Sequence, residues 1–597
     1  NDYVLNKLNG TIGFEYKVLD NLQLTTRIGF NSTYSKGKIF SKEINYGGKV
    51  FDITRSQVDQ NRINDNDYTY DMFANYDFKI GQNHSFKTTL GMTVFKTLGD
   101  GLFATGYDIP NNDWAFADIS LADGLAEQKT TGSYTYDQRR LSYFSRVQYD
   151  YKEKLLVSAL LRRDTSTKFG PNKRIAYFPS FTAGYLFSEE SFLQDSSSID
   201  LLKVRVSYGM MGNDLIGDFL YTATLGGEAM YVFNDELVAG RAVGVLPNPN
   251  VGWEESEQFD IGIDANFFKN KLSITADYFI KKTNDLLIEY IPVSGILGTN
   301  APGAGSPTVN AGGVENKGVE FFVSYKDTFW EKLKFNFSYN FTQLENLVTS
   351  VNNQVGYIEG GSFGVGQLPP SRMTVGQPIG VFYGYQTGGI FQTQSEISLH
   401  PSQLKLGAEA KPGDFRFLDL NGDNIIDDKD RTYLGSPIPD YTMGLNLGFS
   451  YENFEFSTYA FASVGNEIVR NYERANTHVN RLHNTILRWR GEGTSDTHPR
   501  LTTRSTSNRV FSDYYVEDGS FLRIQNIQIG YNLPSSFMEK QGIEKLRFYL
   551  SANNLFTLTN YTGFDPTTNN GQPIGNGIDY GTYPTAKTYL LGMNIKF

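Results

Sequence analysis

Cysteine is absent from this chain, which excludes disulfide bonds, thiolate metal sites and cysteine nucleophiles. Long apolar runs are absent too: the densest apolar stretch, residues 155–161, is far shorter than the ~18 residues that a membrane-spanning helix needs. Basic residues are in the minority, with 54 Lys and Arg against 65 Asp and Glu and a formal net charge of −11. The composition therefore excludes a helical membrane protein and argues against a nucleic-acid-binding protein, which normally carries a basic excess.

Aromatic residues are abundant, at 14% of the 597 residues against a total hydrophobic content of 40%. A typical domain size of about 150 residues would divide this length into about four domains. No Pro/Ser-rich linker or block of like charge marks such a division, so we expect one large repetitive architecture over residues 1–597. No signal segment precedes Asn1, so the localisation has to be inferred from the body of the chain.

Strict alternation of apolar and polar residues recurs along the chain. In residues 11–18 the apolar side chains fall on every second position, which places them on one face of a β-strand. A short connection at residues 19–21 leads to a second alternating segment, and this pair is typical of a β-hairpin. The same pattern recurs in residues 68–78, 86–94, 441–449 and 589–597.

The connections between these strands are of two kinds. Short turns, such as residues 152–154 and 452–453, alternate with long loops around residues 100–135, 215–250, 290–312, 350–375, 400–438, 460–515 and 560–585. Strands of about ten residues joined in this way predict an all-β fold, a large antiparallel transmembrane β-barrel of ~16–18 strands with long extracellular loops. A soluble propeller or sandwich is the alternative, but no repeat of about 40–50 residues is visible.

One segment has the ligand spacing of a calcium loop. Oxygen donors occupy positions 1, 3, 5, 7, 9 and 12 of residues 419–430, the pattern by which an EF-hand-type loop wraps Ca²⁺; they are Asp419, Asn421, Asp423, Ile425 (through its carbonyl), Asp427 and Asp430. Asn424 replaces the usual Gly at position 6, and Asp430 replaces the bidentate Glu at position 12. We expect a structural Ca²⁺ loop within an extracellular connection, the alternative being an acidic turn without metal.

Enzymatic motifs are weak. Residues 360–364 match the G-x-S-x-G nucleophile elbow around Ser362, but that elbow needs a strand before it and a helix after it, and here it lies in a Gly-rich loop. The histidines show no zinc-binding spacing and lie in turns or predicted loops; they are His84, His400, His478, His483 and His498. We therefore predict that the chain is not an enzyme and has no catalytic residue.

Several segments between residues 140 and 597 resemble, in order, the SusC-like (RagA-type) family of TonB-dependent outer-membrane transporters of Bacteroidota. The segments are residues 163–174, 177–185, 202–213, 248–258, 315–320, 380–385, the calcium-type loop with Arg431 and Gly435, 517–534, 553–556, 563–566 and 583–597. Thr165 stands where the family often has Gly, and Tyr185 where Trp is common. Neither departure affects the expected fold.

The resemblance implies TonB-dependent import of a nutrient across the outer membrane of a Gram-negative bacterium, together with a SusD-like surface lipoprotein. An oligosaccharide is favoured over a peptide, and no residue can be assigned to substrate binding. The N-terminal plug, the coupling box that engages the TonB system and the first strands are not found, so we expect the C-terminal part of a longer protein. The expected partners also include outer-membrane lipid but no nucleic acid. The alternatives are a non-transporting barrel scaffold for an outer-membrane complex and a secreted hydrolase dependent on Ser362.

Overall fold

The computed structural model describes residues 1–47, 52–125, 129–288, 305–353, 355–364, 366–473, 481–534, 542–568 and 571–597. Within these residues β-strands dominate, and none of the helices has the length and apolarity required to cross a membrane. The described residues contain one α-helix, α1 (Gln394–Leu399). Its first turn is capped by the Thr393 side chain, which accepts from the backbone N–H of Glu396. Short 3₁₀ helices occupy Pro110–Asn112, Trp114–Phe116, Ile119–Leu121, Phe187–Glu189, Leu404–Leu406, Asp428–Asp430, His483–Leu487, Ser507–Arg509 and Asp513–Tyr515.

The described residues form thirty strands. In chain order they are β1 (Asp2–Leu19), β2 (Leu22–Ser41), β3 (Gln57–Ile80), β4 (His84–Tyr107), β5 (Thr130–Tyr151), β6 (Leu155–Ser166), β7 (Ile175–Leu186), β8 (Ile199–Asn213), β9 (Leu225–Phe233), β10 (Glu236–Val243), β11 (Glu254–Phe267), β12 (Leu272–Asn284), β13 (Leu287–Ile288), β14 (Val309–Asn310), β15 (Gly312–Phe329), β16 (Leu333–Val351), β17 (Tyr357–Gly360), β18 (Ser371–Thr374), β19 (Val381–Tyr385), β20 (Thr387–Ile390), β21 (Phe415–Phe417), β22 (Arg431–Gly435), β23 (Tyr441–Tyr451), β24 (Phe454–Val464), β25 (Glu467–Arg470), β26 (Val516–Asp518), β27 (Phe521–Asn532), β28 (Lys545–Thr559), β29 (Ile578–Asp579) and β30 (Thr588–Lys596).

Seventeen of these strands belong to one antiparallel sheet, which confirms the predicted all-β fold and the predicted strand number. They are β1–β8, β11, β12, β15, β16, β23, β24, β27, β28 and β30. The prediction of about ten residues per strand is wrong for several of them, since β3 and β4 each have 24 residues. Some 9–11 residues suffice to cross a bilayer, so these strands continue well beyond the length that a membrane requires.

Tight turns and long connections alternate as predicted. Lys152 and Glu153 adopt the left-handed backbone, with φ of 52° and 59°, which is the conformation of the tight hairpin turns whose twist suits flanking strands. The turn between β23 and β24 likewise has Glu452 at φ 51°. The predicted loop around residues 100–135 is shorter than expected, because β4 extends to Tyr107 and β5 begins at Thr130. Most of the predicted loop at residues 290–312 lies outside the described residues.

The contacts divide the chain into two units. The first comprises residues 1–183, 208–254 and 295–309. In it, β1 to β6 pair each with the next strand in the chain. Trp253 is buried between Phe169 and Phe178, with ring centroids 5.1 and 5.6 Å away, and its indole N–H donates to the carbonyl of Arg174 at 3.1 Å. Three of the sequence segments that resemble the SusC-like family, residues 163–174, 177–185 and 248–258, thus meet in one buried cluster.

The second unit comprises residues 184–207, 255–294 and 310–597. Its long connections are not simple loops, contrary to the expectation for residues 350–375 and 400–438, because they contain the four-stranded sheet β17–β18–β19–β22 and the pair β20–β21. These connections enclose apolar clusters of their own. The first consists of Phe363, Phe382, Val469, Phe511, Tyr515 and Ile578. The second consists of Tyr385, Ile390, Phe415, Phe417 and Ile426.

The large sheet itself presents apolar side chains outwards rather than burying them. Phe14 on β1 and Leu591 on β30 are 69% and 80% exposed. Many apolar residues at the same alternate positions are also exposed. A soluble protein rarely exposes so extensive an apolar surface. One face of the strands is apolar and the other polar, which is the pattern of a barrel whose outer surface contacts lipid.

Candidate functional site

A charged cluster lies on the polar face of the second unit, where the Arg205 side chain of β8 meets three carboxylates. Its Nη1 donates to Asp260 at 3.0 Å, its Nε to Asp264 at 3.1 Å and its Nη2 to Asp277 at 2.8 Å. Lys203 lies 3.8 Å from Asp264. The three acids come from β11 and β12, at positions that the alternation places on one face.

A glycine makes room for this cluster. Gly262 pairs with Asp277 across β11 and β12, and a Cβ at position 262 would lie 2.1 Å from Asp277 Oδ1 and 2.8 Å from Arg205 Cζ. The guanidinium therefore lies directly over the glycine backbone. The cluster is absent from the sequence-based predictions, although the alternation of charged and apolar residues in 203–206 and 258–264 is a usable signal for it.

A second polar feature lies on β3 in the first unit. Its carboxylates accept hydrogen bonds from neutral donors on neighbouring strands: Thr105 to Asp59 at 2.5 Å, Tyr136 to Asp65 at 2.7 Å, Thr97 to Asp67 at 2.5 Å and Thr93 to Asp71 at 2.7 Å. These four aspartates share one face because they occupy odd positions of the strand. They make this wall acidic.

The predicted calcium loop is an ordered turn held by its own side chains. Asp419 accepts from the backbone N–H groups of Gly422 and Asn424 at 2.7 and 2.8 Å. Asn424 has φ 63°, so the asparagine at position 6 does take the left-handed conformation that Gly usually supplies there. Ile426, between positions 7 and 9, is fully buried in the second apolar cluster of the connections.

Asp430, at position 12, is fully buried and serves as a cap. Its carboxylate accepts from the backbone N–H groups of Leu420, Asn421 and Asp427 at 2.9, 3.3 and 2.8 Å. The Lys405 ammonium lies 2.8 Å from Asp427 and lowers the pKa of that carboxyl. In the part of the chain that the structure describes, no three His, Asp or Glu side chains are grouped as a metal site would require.

The residue after the loop connects it to the neighbouring small sheet. Arg431 is buried, and its Nη2 donates to the carbonyls of Pro369 and Tyr383, each at 2.7 Å. Burial lowers the pKa of Arg431. Arg372 packs beside it, with its guanidinium carbon 3.8 Å from the centre of the Tyr383 ring, and Nη2 of Arg372 donates to Glu359 at 2.8 Å.

Ser362 has no nucleophile-elbow geometry. It follows β17, but the described residues after it, 363–364 and 366–370, are not helical. Its backbone N–H and its hydroxyl both donate to the Tyr580 hydroxyl, at 3.0 and 3.4 Å. The serine therefore contacts a tyrosine in the loop region, and its surroundings are not those of a hydrolase nucleophile.

Comparison with known proteins identifies the family. The family described as "TonB dependent receptor-like, beta-barrel" matches residues 1–461. The chain belongs to this TonB-dependent receptor family. TonB-dependent receptor P3 of Formosa agariphila is 32% identical to it over 98% of the chain, and TonB-dependent receptor SusC of Bacteroides thetaiotaomicron is 28% identical over 79% of the chain. The resemblance to SusC-like barrels found in the sequence is thereby confirmed.

The fold comparison agrees. The chain superimposes over its full length on the solved RagAB peptide transporter, with a TM-score of 0.82 and 22% identity, and covers 62% of that chain. It spans 57% of the P3 receptor and 45% of SusC, about half the length of these relatives. TonB-dependent receptors are outer-membrane proteins, so the chain is an outer-membrane β-barrel; its family is one of receptors and transporters rather than enzymes. In such a barrel the exposed apolar face contacts lipid and the polar face, with the Arg205 and β3 clusters, lines the lumen.

Proposed function

We propose that this TonB-dependent receptor imports a nutrient across the outer membrane, with energy supplied by the TonB system. The observation that carries the proposal is the 32% identity with a TonB-dependent receptor over almost the whole chain. The wall chemistry supports it, because a lumen lined by charged and hydrogen-bonding side chains suits the passage of a polar solute. Since the chain spans about half the length of its relatives, import is proposed for the whole protein and not for this chain alone.

We further propose that the protein works with a SusD-like surface lipoprotein and that its substrate is an oligosaccharide. The similarity to SusC supports the partnership. The long connections of the second unit support it too, because they are packed around apolar clusters and can present a defined surface to a partner. A plug and a coupling box, in a region outside this sequence, would connect the barrel to the TonB system.

The first experiment is purification of the native protein from detergent-solubilised outer membranes, followed by mass spectrometry of its mature N-terminus and of every co-purifying chain. We expect an upstream plug with a coupling box, and a SusD-like lipoprotein. Deletion of the coupling box should abolish energy-dependent uptake while the barrel stays in the membrane. A native protein without a coupling box, bound to other envelope proteins, would overturn the import proposal and favour the scaffold.

Residues 419–430 are proposed as a structural Ca²⁺ loop. The support is the donor spacing and the left-handed Asn424. Carboxylate oxygens that accept a backbone N–H keep a further lone pair, so the hydrogen bonds of Asp419 and Asp430 are compatible with ion binding. The carboxylates would have to move closer together around the ion. A bound cation would then connect the exposed first half of the loop to the buried Asp430 at its end.

A further inference from the structure

Three aromatic rings follow one another on the polar face of the first unit. Phe103 lies on β4, and Tyr134 and Tyr136 lie on β5. In the register of these strands Phe103 pairs with Gly132, while Tyr134 and Tyr136 pair with Gly101 and Gly99. The rings therefore occupy three successive levels of the same face, about 6.8 Å apart along the strands.

Each ring is opposite a glycine, and two of them lie directly on it. A Cβ at Gly101 would lie 2.3 Å from Cε1 of Tyr134, and a Cβ at Gly132 would lie 2.3 Å from Cζ of Phe103. Such rings shield strand glycines and stabilise the sheet. That role uses only one face of each ring: Phe103 remains 50% exposed and Tyr134 43% exposed.

The rings are held in a fixed orientation. Tyr134 and Tyr136 are nearly parallel, with an interplanar angle of 17° and centroids 6.4 Å apart. The Tyr136 hydroxyl donates to Asp65 at 2.7 Å, which anchors the end of the row. A preorganised surface loses little conformational entropy when it binds a ligand.

Hydrogen-bonding oxygens lie beside this row. Asp59, Asp65 and Asp67 share its face, and they accept hydrogen bonds from neutral hydroxyl and amide groups. Among the described residues no Lys or Arg is within ion-pair distance of these three carboxylates. Arg140, the first basic residue beyond Tyr136 on the same face of β5, is paired with Asp214 at 3.3 Å.

We propose that Phe103, Tyr134 and Tyr136 form a binding platform for an uncharged oligosaccharide on the lumenal wall. The C–H face of a sugar ring stacks on an aromatic face, and its hydroxyls donate to the adjacent carboxylates. The acidic row disfavours sulfated sugars and uronic acids, because like charges repel. This inference rests on the proposed import function and names its substrate class and three contact residues.

A peptide fits these groups less well. A peptide that binds by strand addition needs a free strand edge, whose main-chain groups form its hydrogen bonds. At Phe103, β4 is paired with both β3 and β5, so the platform presents ring faces and carboxylates instead of backbone groups. Stacking with adjacent carboxylate acceptors is the chemistry of sugar recognition.

The test measures binding of an array of neutral oligosaccharides, maltoheptaose and xylohexaose among them, to the full-length protein purified in detergent. Oligogalacturonate and a mixed peptide library serve as the charged and peptide probes. We expect the wild type to bind at least one neutral oligosaccharide, Tyr134→Ala and Phe103→Ala each to weaken it roughly tenfold, and Tyr134→Phe to bind like the wild type. Leu102→Ala, on the adjacent position of β4 and the opposite face, is the matched control.

Thermal unfolding of each variant shows whether it is folded; if Tyr134→Ala is not, the folded Phe103→Ala variant decides. No binding to any neutral oligosaccharide, preference for oligogalacturonate or peptide, or equal affinity of Phe103→Ala and Leu102→Ala would overturn the platform. Energy-dependent uptake that requires the coupling box but not the three rings would refute the platform and support the import proposal. Sugar binding that requires the three rings, without energy-dependent uptake, would refute the import proposal and support the platform.

Discussion

Arg523 donates a 2.6 Å hydrogen bond from Nη2 to Oδ1 of Asp565, joining β27 to a loop 42 residues further along the chain. Both side chains are largely buried. Asp565 also accepts from the backbone N–H groups of Thr567 and Thr585, each at 2.9 Å. One carboxylate thus holds both ends of the connection between β28 and β30.

Asp565 should make this connection resistant to mild acid. Burial raises the pKa of Asp565, but the N–H of Thr567 and the Arg523 guanidinium outweigh it, so the pKa lies below its ordinary value. A carboxyl whose pKa is lower in the folded than in the unfolded protein stabilises the folded state at pH above the unfolded pKa of about 3.9. This stabilisation is lost as the pH falls through the folded-state pKa. We expect the protection factors for hydrogen exchange in residues 560–568 and 571–587 to stay constant from pH 7 down to about pH 4 and to fall below it.

Asp565→Asn should accelerate this exchange already at pH 7, because Arg523 is left buried without its counter-charge, a loss of about 3–5 kcal/mol. Asp496→Asn, at an exposed loop position, is the control and should leave the exchange unchanged. Equal exchange in the two variants would show that the ion pair does not hold the connection.

Gly262→Val should displace Arg205 from its three carboxylates, because the new side chain would occupy the space of the guanidinium. We expect a lower thermal unfolding temperature of the purified barrel, because the half-buried Arg205 loses its three carboxylate partners. Gly29→Ala is the control, since a Cβ there has no neighbour closer than 3.6 Å and no positive φ. An unfolding temperature lowered equally by both variants would contradict the specific role of Gly262.

Trp253→Ala should destabilise the first unit by about 3–5 kcal/mol, since it removes a buried indole that packs on two phenylalanines. Trp330→Ala is the matched control, because Trp330 is 84% exposed in a tight turn. Limited proteolysis of both variants reports the difference. If residues 163–178 remain as protected in Trp253→Ala as in the control, the cluster is not what holds them.

Ca²⁺ binding to residues 419–430 can be tested by isothermal titration of the chelator-treated protein. We expect one Ca²⁺ per chain and its loss in Asp419→Ala, which removes the ligand at position 1. Asp428→Asn changes position 10, which contributes no ligand in a loop of this kind, and should bind like the wild type. Absence of binding by the wild type, or equal loss in both variants, would leave an acidic turn without metal.

Ser362→Ala should leave nutrient uptake unchanged, because the hydrogen bond from the Ser362 hydroxyl to Tyr580 is long, at 3.4 Å, and the shorter one from the backbone N–H remains. Uptake assays in cells carrying the variant check this, together with ester hydrolysis by the purified protein. Hydrolysis that disappears with Ser362→Ala would revive the hydrolase alternative.

The alternation in residues 11–18 and 589–597 was sufficient to predict β1 and β30, and the tight turns at Lys152 and Glu452 were predicted in the same way. The length of β3 and β4 is not predicted, because the alternation of apolar and polar residues continues beyond the bilayer and nothing in it marks the membrane boundary. The strands β17 to β22 are not predicted, because they are short and lie in segments rich in glycine. The contact of Arg205 with Asp260, Asp264 and Asp277 is not predictable from the sequence either, because these residues are up to 72 positions apart.

The amino-acid sequence is enough to predict the all-β class, the strand number, the turn positions and the family, because each depends on local alternation or on ordered motifs. The folded structure is needed to see which side chains share a wall, such as Phe103 with Tyr134 and Tyr136. It is also needed to see that Asp430 caps the turn whose spacing predicts a calcium loop. The physical reason is register: a shift of one residue between two strands would exchange their faces, and the register is set by all the strand pairs together.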